Sequence, residues 1–395
     1  MPRIAIAGAG IAGLAAAAGL ASDGHDVTLF DRWPEPLPVG SGLVVQPVGL
    51  AVLDELGVGR AARALGAQIH TMKGVEVEAG RPVLDVTYDP EGRGRVGLAM
   101  HRAALHGVLL DAARAVGARF ELGAEIDGRD GPRLRLDGRL TRPFDLIVDA
   151  AGAGSPLSPM RARPLPYGAI WGVVDWPETA LPADGLSQRY RRADRMLGVL
   201  PIGRAAPGGR ALAAVFWSMP RDGHAAWRAA PLAAWKAEAE GLWPEMAPFL
   251  DQVTEHGQMT MARYGHGTLR RPHGEGIAHL GDAAHRASPQ LGQGANMALL
   301  DALALLRATR AGPLSEAPAH AWNARRAHVA AYQAMSAAFT PQYQSDSRFL
   351  PWLRDRVLAP IAMSALARPV LPHLVRGTLL PPVSAGLGPL EVAVA

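Results

Sequence analysis

Two stretches of this chain hold residue types whose spacing could do chemistry. The first is RIAIAGAGIAGLAAAAGLASDGHDVTLFD, Arg3 to Asp31. Gly8, Gly10 and Gly13 form a GxGxxG pattern where a strand-like run gives way to a helix-like one. The first glycine permits the turn, the second lets the backbone approach a pyrophosphate, and the third lets the helix lie close to the sheet. The head of that helix, including Ala12, offers free N–H groups and a partial positive charge to phosphates. Asp31 ends the next strand, where its carboxylate can accept from both hydroxyls of an adenosine ribose, with Arg32 beside it. The chemistry is the binding of an adenine dinucleotide. The second stretch is GDAAHRASPQLGQGAN, Gly281 to Asn296. Asp282, at the end of a strand, can accept hydrogen bonds from a sugar chain. Gly292, Gly294, Ala295 and Asn296 give an adaptable backbone and an asparagine at a helix N-terminus.

These residues need elements to hold them. Ile4 to Ala7 has strand length, the following run has helical spacing, and Val27 to Asp31 reads as a second strand. Arg32 to Pro38, set by three prolines, is expected to cover the dinucleotide. Gly40 and Gly42 would then allow close backbone approach, and Gln46 offers an amide at the start of a helix striped by Leu50, Leu53 and Leu56; an ordinary loop and amphipathic helix is the equal alternative there. Residues 67–99 alternate like antiparallel strands inserted between parallel units. Met100-His101-Arg102 opens a helix running to Gly117, and Arg102 in its first turn opposes the helix dipole, which an anionic ligand would relieve. Pro143 to Asp149 reads as a buried parallel strand running into the small-residue loop Ala150 to Ser155, at the edge where open α/β sheets bind ligands.

Residues 164–265 change character toward antiparallel strands and imply a substrate domain, with a tryptophan-rich helical stretch from His224 to Leu250 expected to be core. The candidate pocket on that sheet is Gln188, Tyr190, Val199, Pro201, Phe216 and Trp217, with Pro289 opposite. The expected architecture is α/β: a Rossmann-like, discontinuous dinucleotide domain (1–66, 100–163, 266–310), an inserted antiparallel substrate domain (67–99, 164–265) and a C-terminal helical region (311–395).

Composition limits the function classes. The 395 residues are 49% hydrophobic and 19% charged, which excludes a disordered chain. Cysteine is absent, which rules out disulfides, thiolate metal sites and cysteine nucleophiles and makes the cytoplasm the expected compartment. The net charge of +4 rests on scattered arginines, Lys73 and Lys236 being the only lysines, so anionic cofactors fit better than nucleic acid. Ile4 to Ala21 holds no charge, and the rival reading is a signal peptide or membrane helix. Its alanines and glycines make it only moderately hydrophobic and a strand follows, so no stable membrane insertion is expected.

The motifs GAGIAG with Asp31, GSGLVVQP, HRAALHGVLLDA and GDAAHRASPQLGQGAN together resemble the single-component FAD-dependent aromatic hydroxylases, the p-hydroxybenzoate hydroxylase-like flavoprotein monooxygenases, over residues 3 to 310. The resemblance implies FAD, an NAD(P)H donor, O2, and hydroxylation of an aromatic or other electron-rich small molecule through a flavin C4a-hydroperoxide. It implies that Asp31 holds the adenosine ribose and that Arg102 lies near the phosphates and ribityl chain. Asp282 (after Gly281) would hold the ribityl hydroxyls, Pro289 would lie beside the reactive face, and Gly292 to Asn296 would meet the pyrimidine edge. One departure stands out. Where the family carries an Asp-Gly loop followed by Ser and Arg, this chain has Ala151, Gly152, Ser155 and Ser158, which bears on how the flavin is reduced. A flavin halogenase is the first alternative, although Trp171-Gly172-Val173-Val174-Asp175-Trp176-Pro177 lacks the expected Trp-x-Trp-x-Ile-Pro. A catalytically silent FAD-binding partner is the second.

Overall fold

The computed structural model describes residues 1–35, 40–384 and 386–392. Pro36, Leu37 and Pro38, expected to cover the dinucleotide, lie outside them. The chain is organised by two large sheets. The first has six strands in the order His273–Gly274, Ile277–His279, Leu146–Asp149, Arg3–Ala7, Asp26–Asp31, Arg119–Leu122. All its pairings are parallel except the hairpin joining the first two. Parallel strands buried on both faces read as unbroken apolar runs, and Ile4, Ile6, Ile147 and Val148 are 0% exposed. Ile11–Ser22 and Gly294–Ala311 pack together over this sheet in the largest apolar cluster.

The second sheet has eight strands in the order His285–Arg286, Met259–Thr268, Arg163–Asp175, Leu212–Pro220, Arg195–Pro201, Gly185–Arg191, Thr71–Glu76, Pro82–Thr87. It is antiparallel apart from the parallel contact of Thr71–Glu76 with Gly185–Arg191. Residues 67–99 therefore divide. Their middle strands join this sheet, whereas Ala67–Ile69 and Gly97–His101 form a small sheet with Gly42–Val45. Met100 belongs to that strand, and the helix opens at Arg102, with His101 Nδ1 accepting from the Ala103 N–H to cap it.

The eight-stranded sheet is covered on both faces. One face packs Ile170, Leu197, Val199, Val215 and Trp217 against Trp227, Trp235, Trp243 and Phe249. The tryptophan-rich stretch that supplies this cover breaks at prolines into His224–Ala229, Leu232–Leu242 and Ala247–Leu250. The other face packs Tyr190, Met196, Leu200, Ile202 and Phe216 against Tyr88 and against Val44 and Ala99 of the small sheet. The long Ala317–Tyr343 helix and short helical pieces from Phe349 to Arg376 close the structure. Among the described residues no helix is long and apolar enough to cross a membrane.

Candidate dinucleotide and substrate site

The glycine turn is built by exclusion. Gly8 has φ +101°, and a Cβ there would stand 2.6 Å from the Ala150 carbonyl of the neighbouring strand end. A Cβ on Gly13 would overlap the Gly8 carbonyl, so helix and turn close on each other only without it. Gly10 is different, because nothing lies within 4 Å of where its Cβ would be. That open side faces the head of Ile11–Ser22. The helix's first backbone bond there is Leu14 N–H to Gly10 carbonyl, and no side chain caps it. Asp31 Oδ2 accepts from the Ala9 N–H at 2.7 Å and Oδ1 from the Trp33 N–H at 3.0 Å, which fixes the carboxylate beside the turn. Arg32 lies over the Trp33 ring.

Arg102 and Asp282, far apart in the chain, come together. Burial pulls the Arg102 guanidinium below its ordinary value while the Asp282 carboxylate attracts it. Asp282 is exposed. Gly40, at φ +107°, leaves room for Arg102, whose Nε would stand 3.1 Å from an added Cβ. Gly42 has another reason to be glycine: Ile202 and Ala214 of the eight-stranded sheet occupy its side-chain space. Its missing side chain lets the small sheet dock on the larger one.

Pro289–Leu291 forms a single turn that Gly292 ends at φ +60°, and Gly294–Ala311 begins at once. Asn296 stands in the first turn of that helix, where the sequence placed it. It lies inside the helix, 0% exposed, with Oδ1 accepting from the Gln46 N–H at 2.8 Å and Nδ2 donating to Val44 and Gly292 carbonyls. Its side chain is thus spent on the protein. Only backbone N–H groups of Gly294, Ala295 and Asn296, ahead of the Met297-to-Gln293 bond, remain for a ligand. Gln46 Nε2, Gln290 Nε2 and Gln293 Oε1 are buried amide atoms without partners among the described residues. Open space at Gly10, two uncapped helix heads and three orphaned amide atoms fit an FAD stretched from Asp31 to Gly292.

The pocket residues split by strand alternation. Gln188, Tyr190 and Phe216 are placed on the face covered by the small sheet, with the Tyr190 hydroxyl donating to Gln188 Oε1 at 2.6 Å and Trp171 tilted against Phe216 at 4.5 Å. Val199 and Trp217 belong to the opposite cluster. Pro201 pairs with Ala213, also of that cluster, so it shares that face. These three are core and drop out of the pocket.

Several contacts escaped the sequence reading. Asp149 is 0% exposed and organises the altered loop: it accepts from the Ser155 hydroxyl at 2.7 Å and the Ala151 N–H at 3.2 Å, and meets His279 Nδ1 at 2.7 Å. Ser158 donates to the Ala283 carbonyl, tying that loop to the Gly281 turn. Asp301 accepts from the Gly281 N–H, His285 Nε2 and Arg325 Nε. An acid within the apolar run NMALLDALALL was a usable signal, since such a group is buried only when paired. Tyr88 left no local mark.

Comparison with known proteins agrees with this geometry. A family model described as FAD binding domain matches residues 2–135 and 208–330. Kynurenine 3-monooxygenase of Xanthomonas campestris pv. campestris is 30% identical over 437 residues, covering 95% of this chain and 93% of that protein. The 2-heptyl-3-hydroxy-4(1H)-quinolone synthase of Pseudomonas aeruginosa is 27% identical over 378 residues, covering 90% and 93%. A solved structure of a Klebsiella pneumoniae HpxO variant complexed with FAD shares the fold, with TM-score 0.79 at 20% identity over 96% of this chain and 100% of that one.

Proposed function

Because this chain belongs to the FAD-dependent aromatic hydroxylases, we propose that its substrate is a neutral, largely apolar aromatic ring, hydroxylated with O2 and NAD(P)H. The enzyme is an FAD-dependent monooxygenase, and the relatives favour hydroxylation over halogenation. When bound, FAD supplies the electron transfer and oxygen activation that no side chain provides. The chain supplies placement. The Gly8–Gly13 turn would take the pyrophosphate, Asp31 the ribose, Arg102 and Asp282 the middle of the molecule, and the Gly292–Ala295 backbone the ring edge. Phe216, Tyr190 and Pro289 would hold the substrate and exclude water from it.

The observations that carry the substrate class are the apolar and phenolic lining of this face and the engagement of Arg354 by the protein. Arg354 lies between the Tyr190 and Tyr343 rings, but its guanidinium donates to Asp355, the Gln342 carbonyl and the Arg192 carbonyl. Arg376 donates from Nε to the Tyr88 carbonyl and from Nη2 to Glu91, while its Nη1 has no partner among the described residues. Tyr190, Phe216, Tyr88 and Val44 give this face an apolar and phenolic lining, against which an unpaired carboxylate would be costly. The quinolone product named for the Pseudomonas aeruginosa relative is of the neutral kind. The test is NAD(P)H oxidation with matched aromatic pairs, one neutral and one carboxylated, with products analysed after reaction under heavy-isotope oxygen. Faster turnover and isotope incorporation with the neutral members are expected; preference for the carboxylated members would overturn the reading.

A further inference from the structure

We propose that Gln46 is the residue through which the cleft donates a hydrogen bond to a carbonyl oxygen of its ligand, and that Tyr88 is the positioning residue that aims it. This rests on the FAD and neutral-aromatic reading above. The Gln46 backbone is pinned by its N–H to Asn296 Oδ1, and Asn296 is itself tied to Val44 and Gly292. Gln46 sits at the N-cap of the Pro47–Glu55 helix, yet its side chain makes no cap bond. It is directed elsewhere. Oε1 accepts the Tyr88 hydroxyl at 2.6 Å in a fully buried contact. Burial pushes the Tyr88 phenol well above its ordinary value, so it stays protonated and its single proton serves Oε1.

With Oε1 held, Nε2 is turned away from Tyr88 and has no partner, although the residue is 0% exposed. It lies against Gly292, where an added Cβ would stand 3.4 Å from it. Gly292 is the bend between Pro289 and the helix head, and Gln290 and Gln293 on either side also bury unpaired amide atoms. A buried donor without an acceptor is destabilising and needs an explanation. An acceptor supplied by the ligand provides one. Two sources share the chemistry: a carbonyl of the flavin pyrimidine ring, or a carbonyl carried on the ring of a neutral aromatic substrate.

The test compares the parent enzyme with Gln46→Met/Tyr88→Phe, which replaces both partners by apolar groups of similar shape, and with Gln46→Glu, which keeps the acceptor for Tyr88 but removes the donor. The measurements are FAD affinity after stripping, binding of a 4(1H)-quinolone from its perturbation of the flavin spectrum, and the thermal midpoint of the stripped protein. Removing the orphan leaves that midpoint unchanged or higher in the double variant, while binding weakens by about tenfold or more in both variants. Weaker FAD binding assigns the oxygen to the flavin; weaker quinolone binding with normal FAD affinity assigns it to the substrate. Both affinities within about twofold of the parent would overturn the proposal. If the parent itself binds FAD but no quinolone, the substrate reading fails while the FAD arm still decides Gln46.

Discussion

Replacing Asp301 with asparagine should be among the most damaging single substitutions in this protein, because its carboxylate is engaged by protein donors. Three donors converge on its carboxylate: the Gly281 N–H at 3.0 Å, His285 Nε2 at 2.6 Å and Arg325 Nε at 3.0 Å. Arg325 is 2% exposed and also donates to the Pro382 carbonyl and His328 Nδ1. Burial and Arg325 push the His328 imidazole down to about 3, so it is neutral at pH 7 and donates from Nε2 to the Gly377 carbonyl. One carboxylate thus joins the cofactor turn at Gly281 to the C-terminal segment. Asparagine keeps the shape but leaves a buried guanidinium without its counter-charge and aims an NH2 at donors. Removing one partner of such a pair costs roughly 3 to 5 kcal/mol, against a total stability of about 5 to 15 kcal/mol. The assay is urea unfolding of parent, Asp301→Asn, Arg325→Met and the double variant, followed by tryptophan fluorescence.

The double variant should recover part of the loss, because neutralising both partners removes the stranded charge. The same network sets a pH dependence. Burial alone would raise the Asp301 carboxyl, but His285, Arg325 and the Gly281 N–H outweigh it and hold the group well below the usual carboxylate range. A depressed folded pKa stabilises fully above the unfolded value of about 4, and that stabilisation fades as pH falls below it. The parent should therefore lose stability in acid more steeply than Asp301→Asn. A loss below about 1 kcal/mol for Asp301→Asn, with additive double-variant energies, would refute the reasoning.

Gly10→Ala and Gly13→Ala should separate binding from folding: the first puts a methyl into open space and is expected to abolish FAD retention with normal unfolding, whereas the second meets the Gly8 carbonyl and should lower soluble yield as well. Asp282→Ala should weaken FAD binding by about 1 to 3 kcal/mol with little change in the stripped protein's unfolding, while Asp149→Ala, which strands the buried His279 and the half-buried Ser155, should destabilise both forms. Flavin content and thermal midpoints of the two variants check this contrast. Ala151→Asp places an acid beside the Asp149 loop and should alter the rate of anaerobic flavin reduction by NAD(P)H while sparing FAD content, since orientation for hydride transfer is sensitive to small displacements; identical stopped-flow rates with and without substrate would remove that loop from the reductive step.

The sequence by itself determined what depends on local order. A strand, a glycine turn and a helix are specified by neighbours in the chain, so GAGIAG, Asp31 and the GDAAHRASPQLGQGAN block could be recognised, and with them the cofactor class and α/β architecture. The faces of the eight-stranded sheet were not legible, because both are covered: Phe216 and Trp217 are each apolar and buried, and alternation shows only that they point opposite ways. Packing helices on one side and the small sheet on the other decided which could meet a substrate. Gly42 could not announce that Ile202 fills its missing side chain. Nor could Tyr88, Gln46 and Asn296, or Asp301 and Arg325, be paired from spacing. Hydrogen bonds between buried polar groups depend on distance in space, and for these residues that distance is set only when the two sheets and the Gly294–Ala311 and Ala317–Tyr343 helices close on one another.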